Sequence, residues 1–199
     1  MNPITHFLVG WTALEKAQGA DRDRALVVLA GLAPDLDGLG VVVEFAARML
    51  GLGETNYYLD YHRVWGHGLP AALVFSTVVA VLAASRLRAA LGAFIAVHLH
   101  LLCDLLGSRG PGAEDIWGIA YFSPLADTPY FEWTGQWELI SWQNTLITGV
   151  LLGWIVWRGI RAGYTPLRLT SAKADAQVVV ALRKRFGHGL PRDRRAERP

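Results

Sequence analysis

The chain has 199 residues, a formal net charge of +2 and a single cysteine, which excludes an intrachain disulfide and any Cys-x-x-Cys metal or redox motif. Hydrophobic residues make up 52% of the chain and charged residues 18%, and the mean hydropathy is +0.27. Soluble globular domains have roughly 45–50% hydrophobic and about 25% charged residues, so the composition favours a small membrane protein. We expect no nucleic-acid partner.

The first fifty residues contain short apolar segments separated by polar ones. Residues 4–17 predict a short helix, and "MNPITHFLVGW" lacks the basic region and cleavage site of a secretory signal peptide. The apolar stretch 24–50 is broken by Pro34 and two aspartates. Because proline disfavours a continuing helix, we expect one helix to end near Pro34, a loop to follow and a second short helix to cover 39–50.

Three later apolar runs have the length needed to cross a bilayer, about 17–25 residues. They are residues 68–85, 90–106 and 139–157. A polar and aromatic connector at 51–61 precedes them, and a long loop at 107–138 is rich in Gly, Pro, Trp and acids. Loops of this length usually carry a function or are disordered. The pattern predicts an all-α fold, a polytopic membrane helical bundle.

The character of the chain changes after residue 158. Residues 172–187 predict a basic amphipathic helix suited to a membrane surface. The final residues, "PRDRRAERP", are typical of disorder. We therefore divide the chain into a membrane-embedded helical domain, 1–158, and a basic tail, 159–199.

Charge indicates how the helices are oriented. If helices 4–17, 24–34, 68–85, 90–106 and 139–157 alternate in direction, sixteen of the nineteen Lys and Arg residues share one side with the tail. Only Arg48, Arg63 and Arg109 lie on the other side. By the positive-inside rule the basic side is cytoplasmic. We expect a multi-pass protein with a cytoplasmic C-terminus and an outward-facing loop 107–138.

Seven potential metal ligands from four separate segments then fall on the outward face. They are His6, Asp35, Asp37, His62, His67, His100 and Asp104. Each segment has an ordinary explanation when taken alone: an interface histidine, a helix stop followed by a cap, or a polar linker. Their convergence was not used to derive the topology, so it independently favours a metal site at one membrane face.

Two pairs of these residues have a spacing with chemical meaning. His100 and Asp104 are four residues apart, so both side chains lie on one helix face and can reach one ion. Ionisable residues within a membrane helix are costly and usually functional. Asp35 and Asp37 follow a proline on an irregular segment, where both carboxylates can point the same way. Imidazole and carboxylate ligands together suit zinc, manganese or iron.

The stretch "HRVWGH" at 62–67 has a different geometry. His62 and His67 would lie about 140° apart on an ideal helix, so we expect them to straddle a turn, with Gly66 supplying flexibility. Arg63 can hold an anionic group such as phosphate or form an interface salt bridge. His98 is about 200° around the helix from its neighbour at position 100, and we expect it to be structural. We expect a solvated acidic surface from five residues of the outer loop, one of which can still supply a further ligand or a general base: Glu114, Asp115, Asp127, Glu132 and Glu138.

In these residues the chain resembles the YdjM-like family of predicted inner-membrane metal-dependent hydrolases. The family motifs are a histidine near the N-terminus, Pro-Asp-Leu-Asp, His-Arg-x-x-x-His and His-x-x-x-Asp. They stand here at His6, 34–37, 62–67 and 100–104, and the resemblance covers about residues 3–125. A more distant likeness is to zinc-dependent phospholipase C, an all-helical fold in which similar residues bind a zinc cluster.

The resemblance implies a metal-dependent hydrolase of the bacterial inner membrane with its metal site on the extracytoplasmic side. Because seven ligands exceed the three or four that one catalytic zinc takes, we expect two or more divalent ions, zinc first among them. The expected reaction is cleavage of a phosphoester or ester in a lipid or lipid-linked substrate by metal-activated water. Asp35 or Asp37 would accept the proton, and Arg63 would hold the substrate.

Two other classes of function stay open. A sensor or scaffold would bind metal in the membrane without hydrolysing anything. A transporter is disfavoured, because it needs ligands along a path through the bilayer and the cytoplasmic halves of the predicted helices hold almost none. A soluble or peripheral helical enzyme is the weakest alternative, and extraction by a carbonate wash would identify it.

Overall fold

The computed structural model describes residues 1–15, 19–53 and 55–187. Its α-helices are α1 (Pro3–Leu14), α2 (Asp21–Leu32), α3 (Gly40–Met49), α4 (Tyr57–Tyr61), α5 (Leu69–Leu82), α6 (Arg86–Gly107), α7 (Trp142–Ala162) and α8 (Ala172–Phe186). Two 3₁₀ segments, Ala33–Leu39 and Pro166–Leu169, and two short strands, β1 (Ile119–Ala120) and β2 (Tyr130–Phe131), lie between them. Residues 16–17 of the first predicted helix and 188–199 of the predicted tail lie outside the described residues.

Helix α6 lies at the centre of the bundle, in contact with α1, α2 and α5. Its facing residues are mostly alanines, which let helix backbones approach closely. A Cβ added to Gly31 of α2 would lie 3.2 Å from the Ala96 Cβ of α6. The buried core between these helices consists of Leu14, Val27, Ala30, Val79, Ala83, Ala89, Ala93 and Ala96. The mainly helical prediction is therefore confirmed for the described part of the chain.

The segment from Asp21 to Met49 is one nearly continuous helical stretch, and the predicted loop after Pro34 is wrong. Pro34 occupies the first turn of the 3₁₀ segment Ala33–Leu39, which runs directly into α3. A proline is tolerated in a first turn because the N–H it lacks has no helical partner there. At 29 residues the whole stretch is long and apolar enough to cross a membrane.

Two further helices, α6 and α7, are also long and apolar enough to cross a membrane. They correspond to the predicted runs 90–106 and 139–157. The predicted run 68–85 is shorter than expected, because α5 has 14 residues. At 1.5 Å per residue it spans about 21 Å, against the roughly 30 Å of a hydrocarbon core.

The predicted long loop 107–138 is partly structured. Strands β1 and β2 pair antiparallel, with Ile119 opposite Phe131. The buried Gln136 side chain donates to the carbonyl oxygens of Asp104, Leu105 and Trp117. These bonds hold the loop against the C-terminal end of α6, and the predicted connector 51–61 likewise contains the short helix α4.

The predicted amphipathic tail helix is present as α8. It packs against α7, where Arg183 Nε donates to the Ile160 carbonyl at 3.0 Å and Val179 is buried. Ser171 caps its N-terminus, and three basic residues occupy its last turn. The predicted division at residue 158 falls within α7.

Candidate metal centre

All seven predicted ligands come together at one end of the bundle. His6 comes from α1, the aspartates from the 3₁₀ segment, two histidines from the turn 62–67 and the last pair from α6. The seven residues are connected by ion-pair and hydrogen-bond contacts, and they are His6, Asp35, Asp37, His62, His67, His100 and Asp104.

The Asp104 carboxylate is the centre of this cluster. Its Oδ1 lies 3.1 Å from His6 Nε2, and its Oδ2 lies 3.4 Å from His67 Nε2 and 3.3 Å from His100 Nε2. The amino group of Met1 also contacts Oδ1, and the Ser108 hydroxyl donates to it at 2.7 Å. With its side chain 3% exposed, this carboxylate is an anion in a nearly dry site, which favours a nearby cation.

The tautomer of His100 is fixed by a backbone carbonyl. Its Nδ1–H donates to the Gly31 carbonyl at 2.9 Å, since a carbonyl only accepts. In the neutral ring the lone pair is then on Nε2, the atom that faces Asp104. A histidine that ligates a metal through one nitrogen commonly donates its other N–H to a carbonyl or carboxylate in this way.

Asp37 organises the turn that carries His62 and His67. Its Oδ1 accepts from His62 Nδ1 at 2.8 Å, and its Oδ2 accepts from His67 Nδ1 at 3.1 Å. The same Oδ2 accepts from the backbone N–H groups of Arg63 and Gly66, at 2.8 and 3.3 Å. The lone pair of each neutral imidazole is thereby placed on Nε2.

When both rings are neutral, two imidazole lone pairs and a carboxylate oxygen face one another. The Nε2 atoms of His67 and His100 are 3.2 Å apart, and each lies within 3.4 Å of Asp104 Oδ2. Such an arrangement is repulsive unless a proton or a cation lies among the three atoms. This donor set fits a divalent metal ion.

Asp35 extends the same cluster on its other side. Its Oδ1 lies 3.6 Å from His100 Nε2, and its buried Oδ2 has no hydrogen-bond partner among the described residues. One ligand atom from each of His6, Asp35, His100 and Asp104 lies within 4.8 Å of the others. These four residues can surround one ion, and the imidazoles of His62 and His67 lie beside them.

Gly66 is required for close packing, which corrects the expectation that it supplies flexibility. A Cβ at this position would lie 2.5 Å from the Pro34 carbonyl oxygen and 2.9 Å from the Pro34 Cα. The turn can therefore reach the 3₁₀ segment only with glycine here. The expected turn between His62 and His67 is confirmed, with Arg63 in the left-handed region at φ 71°.

A cavity of about 620 Å³ opens beside the cluster. Arg63 lines it, with its guanidinium 4.2 Å from the centre of the Trp117 ring and Nη2 3.8 Å from Asp104 Oδ2. Asp35, His62 and Ser108 lie on the same wall. The candidate ligands are therefore reachable from a space large enough for a small molecule.

His67 and Arg63, which lie outside the membrane-length helices, have shifted pKa values. Burial lowers the pKa of the His67 imidazole, but hydrogen bonds to the Asp104 and Asp37 carboxylates outweigh it, and the pKa lies above its ordinary value. Burial lowers the pKa of the Arg63 guanidinium, and the nearby Asp104 carboxylate offsets only part of this. The carboxylates thus favour positive charge at the centre of the cluster.

Several residues around the site were not predicted. Ser108 lies four residues after Asp104, so the helical spacing that marked His100 and Asp104 extends to it. Trp117 and Gln136 come from a long loop, where no periodicity marks them. His98 is structural as expected, since its Nδ1–H donates to Phe94 O and its Nε2 accepts from the Tyr121 hydroxyl, both at 2.8 Å.

Two acidic residues of the outer loop, Glu138 and Asp115, bind other groups of the loop. Glu138 lines the cavity but pairs with Arg109 at 2.9 Å. Asp115 accepts from the Gly112 backbone at 2.7 Å. Neither contact brings a carboxylate to the cluster.

Comparison with known proteins identifies a family. No protein of curated function and no solved structure matches the chain, so the expected likeness to zinc-dependent phospholipase C has no support. The sequence profile of the YdjM inner membrane protein family matches residues 1–182. The match includes α7 and most of α8, beyond the region 3–125 in which the motifs lie. The chain belongs to the YdjM inner membrane protein family.

Proposed function

We propose that this protein is a membrane-embedded, metal-dependent hydrolase that cleaves a phosphoester or ester of a lipid or lipid-linked substrate. The observation that carries the proposal is the meeting of His67 Nε2, His100 Nε2 and the Asp104 carboxylate beside an open cavity. With both rings neutral these atoms are three acceptors, and one divalent ion can bind all three. Here they face one another, as ligands of a divalent ion do.

The ligand set supports more than one ion. Four residues can surround one position, His6, Asp35, His100 and Asp104. The imidazoles of His62 and His67 offer ligands for a second. Bound divalent ions of this kind, zinc being our choice, lower the pKa of a bound water and polarise the ester oxygen.

The contacts of the two predicted acid–base candidates separate their roles. Asp37 accepts four hydrogen bonds within the turn, so it is a positioning residue in this proposal. Asp35 has a buried oxygen without a partner and lines the cavity, which suits a general base. The water oxygen would bond to the phosphorus or carbonyl carbon of the ester while Asp35 takes a proton from the water. The bond from that atom to the alcohol oxygen would break, and Asp35 would pass the proton to the departing alcohol.

The site's place in the membrane is part of the proposal. Helices of membrane length carry Asp35, Asp37, His100 and Asp104, so the cluster lies close to lipid. The positive-inside rule assigns it to the extracytoplasmic side. An amphiphilic substrate can reach such a site from the bilayer surface.

Metal analysis of the detergent-purified protein, with a panel of lipid esters assayed on the same sample, tests the proposal. His100→Ala and Asp104→Ala should each abolish metal-dependent hydrolysis while the protein still inserts into the membrane. The matched control is His98→Ala, two residues from position 100 on the same helix, which should keep its metal and activity.

Normal hydrolysis in either ligand variant would overturn the proposal. Stoichiometric metal in the wild type without hydrolysis of any substrate would also overturn it, in favour of a sensor or scaffold.

A further inference from the structure

The Arg63 side chain is held rigidly at the wall of the cavity. Its backbone has a φ of 71°, a left-handed conformation that costs a non-glycine residue free energy. The hydrogen bond from its N–H to Asp37 Oδ2 and the packing of its guanidinium on Trp117 oppose that cost. Strained residues that the surroundings hold in place are common at ligand sites.

Two nitrogens of the guanidinium lack a hydrogen-bond acceptor in the described part of the chain. Its Nε and Nη1 have no hydrogen-bond partner among the described residues, and Nη2 is 3.8 Å from Asp104, beyond hydrogen-bond distance. A guanidinium can donate five hydrogen bonds in a fork that matches phosphate oxygens. The side chain, 12% exposed, therefore has unused donors next to the metal ligands.

The other arginine of this cavity differs in this respect. Arg109 donates through Nε to the Gln136 carbonyl, through Nη1 to the Gly112 carbonyl and through Nη2 to Glu138. All three of its nitrogens are used to hold the loop. Of the two arginines that line the cavity, Arg63 is the one with side-chain nitrogens that make no hydrogen bond to the described residues.

Three apolar side chains that line the cavity are exposed. Leu39, Leu139 and Ile140 line it, with exposed fractions of 55%, 43% and 93%. Leu39 belongs to the membrane-length stretch Asp21–Met49, and Ile140 precedes α7 by two residues. The rim thus lies where two membrane-length helices pass, and a hydrocarbon chain can lie against it.

We propose that the substrate is a phosphoester of an amphiphile, with its phosphoryl group on the Arg63 guanidinium and its hydrocarbon chain along the rim of Leu39, Leu139 and Ile140. This inference rests on the proposed hydrolase function and narrows its substrate from esters in general to phosphoesters. A neutral carboxylic ester brings no negative charge to Arg63 and offers fewer acceptor oxygens to its Nε and Nη1 donors. An anionic phosphoryl group supplies both the charge and the acceptor oxygens.

The test uses the full-length, metal-loaded protein and inorganic phosphate as the probe. Calorimetric titration should show binding to the wild type, weakened roughly tenfold to a hundredfold in Arg63→Gln by the loss of charged hydrogen bonds, with metal content unchanged. Arg109→Gln is the matched control and should bind phosphate as the wild type does. Phosphate should also inhibit wild-type hydrolysis where acetate does not, which tests the inference even if a variant misfolds.

A second variant separates free phosphate from a lipid phosphoester. Ile140→Ser should raise the KM for a long-chain phosphoester and leave the binding of inorganic phosphate unchanged. If Ile140→Ser changes neither the KM for the long-chain phosphoester nor the binding of inorganic phosphate, free phosphate is the ligand and the proposed amphiphile is wrong.

Wild-type phosphate affinity in folded Arg63→Gln, or hydrolysis of carboxylic esters without inhibition by phosphate, would overturn the phosphoryl assignment. Arg63-dependent phosphate binding without hydrolysis of any ester would instead refute the proposed function and leave the phosphate site standing.

Discussion

Asp37 determines the orientation of both histidines in the turn 62–67, because its two oxygens accept all four hydrogen bonds there. An asparagine has one acceptor oxygen, and its amide group would point an N–H at another donor. We expect Asp37→Asn to weaken metal binding about tenfold to a hundredfold, the usual effect of removing a partner that orients a ligand. Competition with a chromogenic chelator on the purified protein measures this.

The control for this change is Asp127→Asn, a charge-equivalent substitution at an exposed position of the outer loop. Its metal affinity should equal that of the wild type. Equal affinities in Asp37→Asn and Asp127→Asn would mean that Asp37 does not position the ligands.

Local spacing predicted the ligands better than it predicted their roles. His100 and Asp104 were identifiable because a helix places residues four apart on one face. The role of Asp37 depends on a partner 25 residues away, and the tautomer of His100 depends on a carbonyl 69 residues away. Neither partner leaves a pattern in the sequence near the residue it serves.

At the scale of elements, the connection between α5 and α6 is set by a residue of α2. The fully buried Asp23 accepts from the backbone N–H groups of Ala84 and Ser85, both at 2.9 Å. This bond pair ends α5 at Leu82 and starts α6 at Arg86. These hydrogen bonds explain why the apolar run 68–85 forms a shorter helix than its composition predicts. Hydropathy alone cannot predict a helix end that is set by a side chain of another helix.

Asp23→Ala should lower the free energy of unfolding by roughly 1–3 kcal/mol for each backbone group that loses its partner. Metal binding should be unaffected, because Asp35 is twelve residues further along, about 18 Å at helical rise. Chemical unfolding in detergent, followed by circular dichroism, measures the change.

Asp21→Ala provides the comparison on the same helix turn. Its carboxylate pairs with Arg24 and Arg168 in partly exposed ion pairs at 3.0 and 2.8 Å, which contribute about 0–1 kcal/mol. If both variants lose the same stability, the capping role of Asp23 is refuted.

The helical stretch Asp21–Met49 is longer than the sequence predicts, whereas α5 is shorter, and in both cases contacts with distant residues decide the length. Pro34 is a correct marker of an irregular backbone, and the 3₁₀ segment begins beside it. Whether the chain then turns away or continues depends on packing against the turn 62–67, where Gly66 lies against Pro34. The existence of helices was predictable from apolar runs, whereas their continuity was decided by contacts between distant segments.

On the scale of the whole molecule, the bundle has two polar ends of different character. One holds the cluster around Asp104. The other holds the ion pairs Glu15–Arg158 and Asp21–Arg168, at 2.8 Å each. Arg158 also donates to the Tyr164 hydroxyl at 2.5 Å. That these two ends lie on opposite sides of a membrane stays a prediction from the charge distribution.

This separation makes the membrane orientation testable by cysteine labelling. In a Cys103→Ala background, Ala113→Cys places a thiol on the exposed outer loop, and Ala172→Cys places one on the exposed start of α8. Because basic segments stay in the cytoplasm, a membrane-impermeant maleimide added to spheroplasts should label position 113 and spare position 172. After permeabilisation both should react. Labelling of position 172 alone in intact spheroplasts would invert the orientation and place the candidate metal centre at the cytoplasmic face.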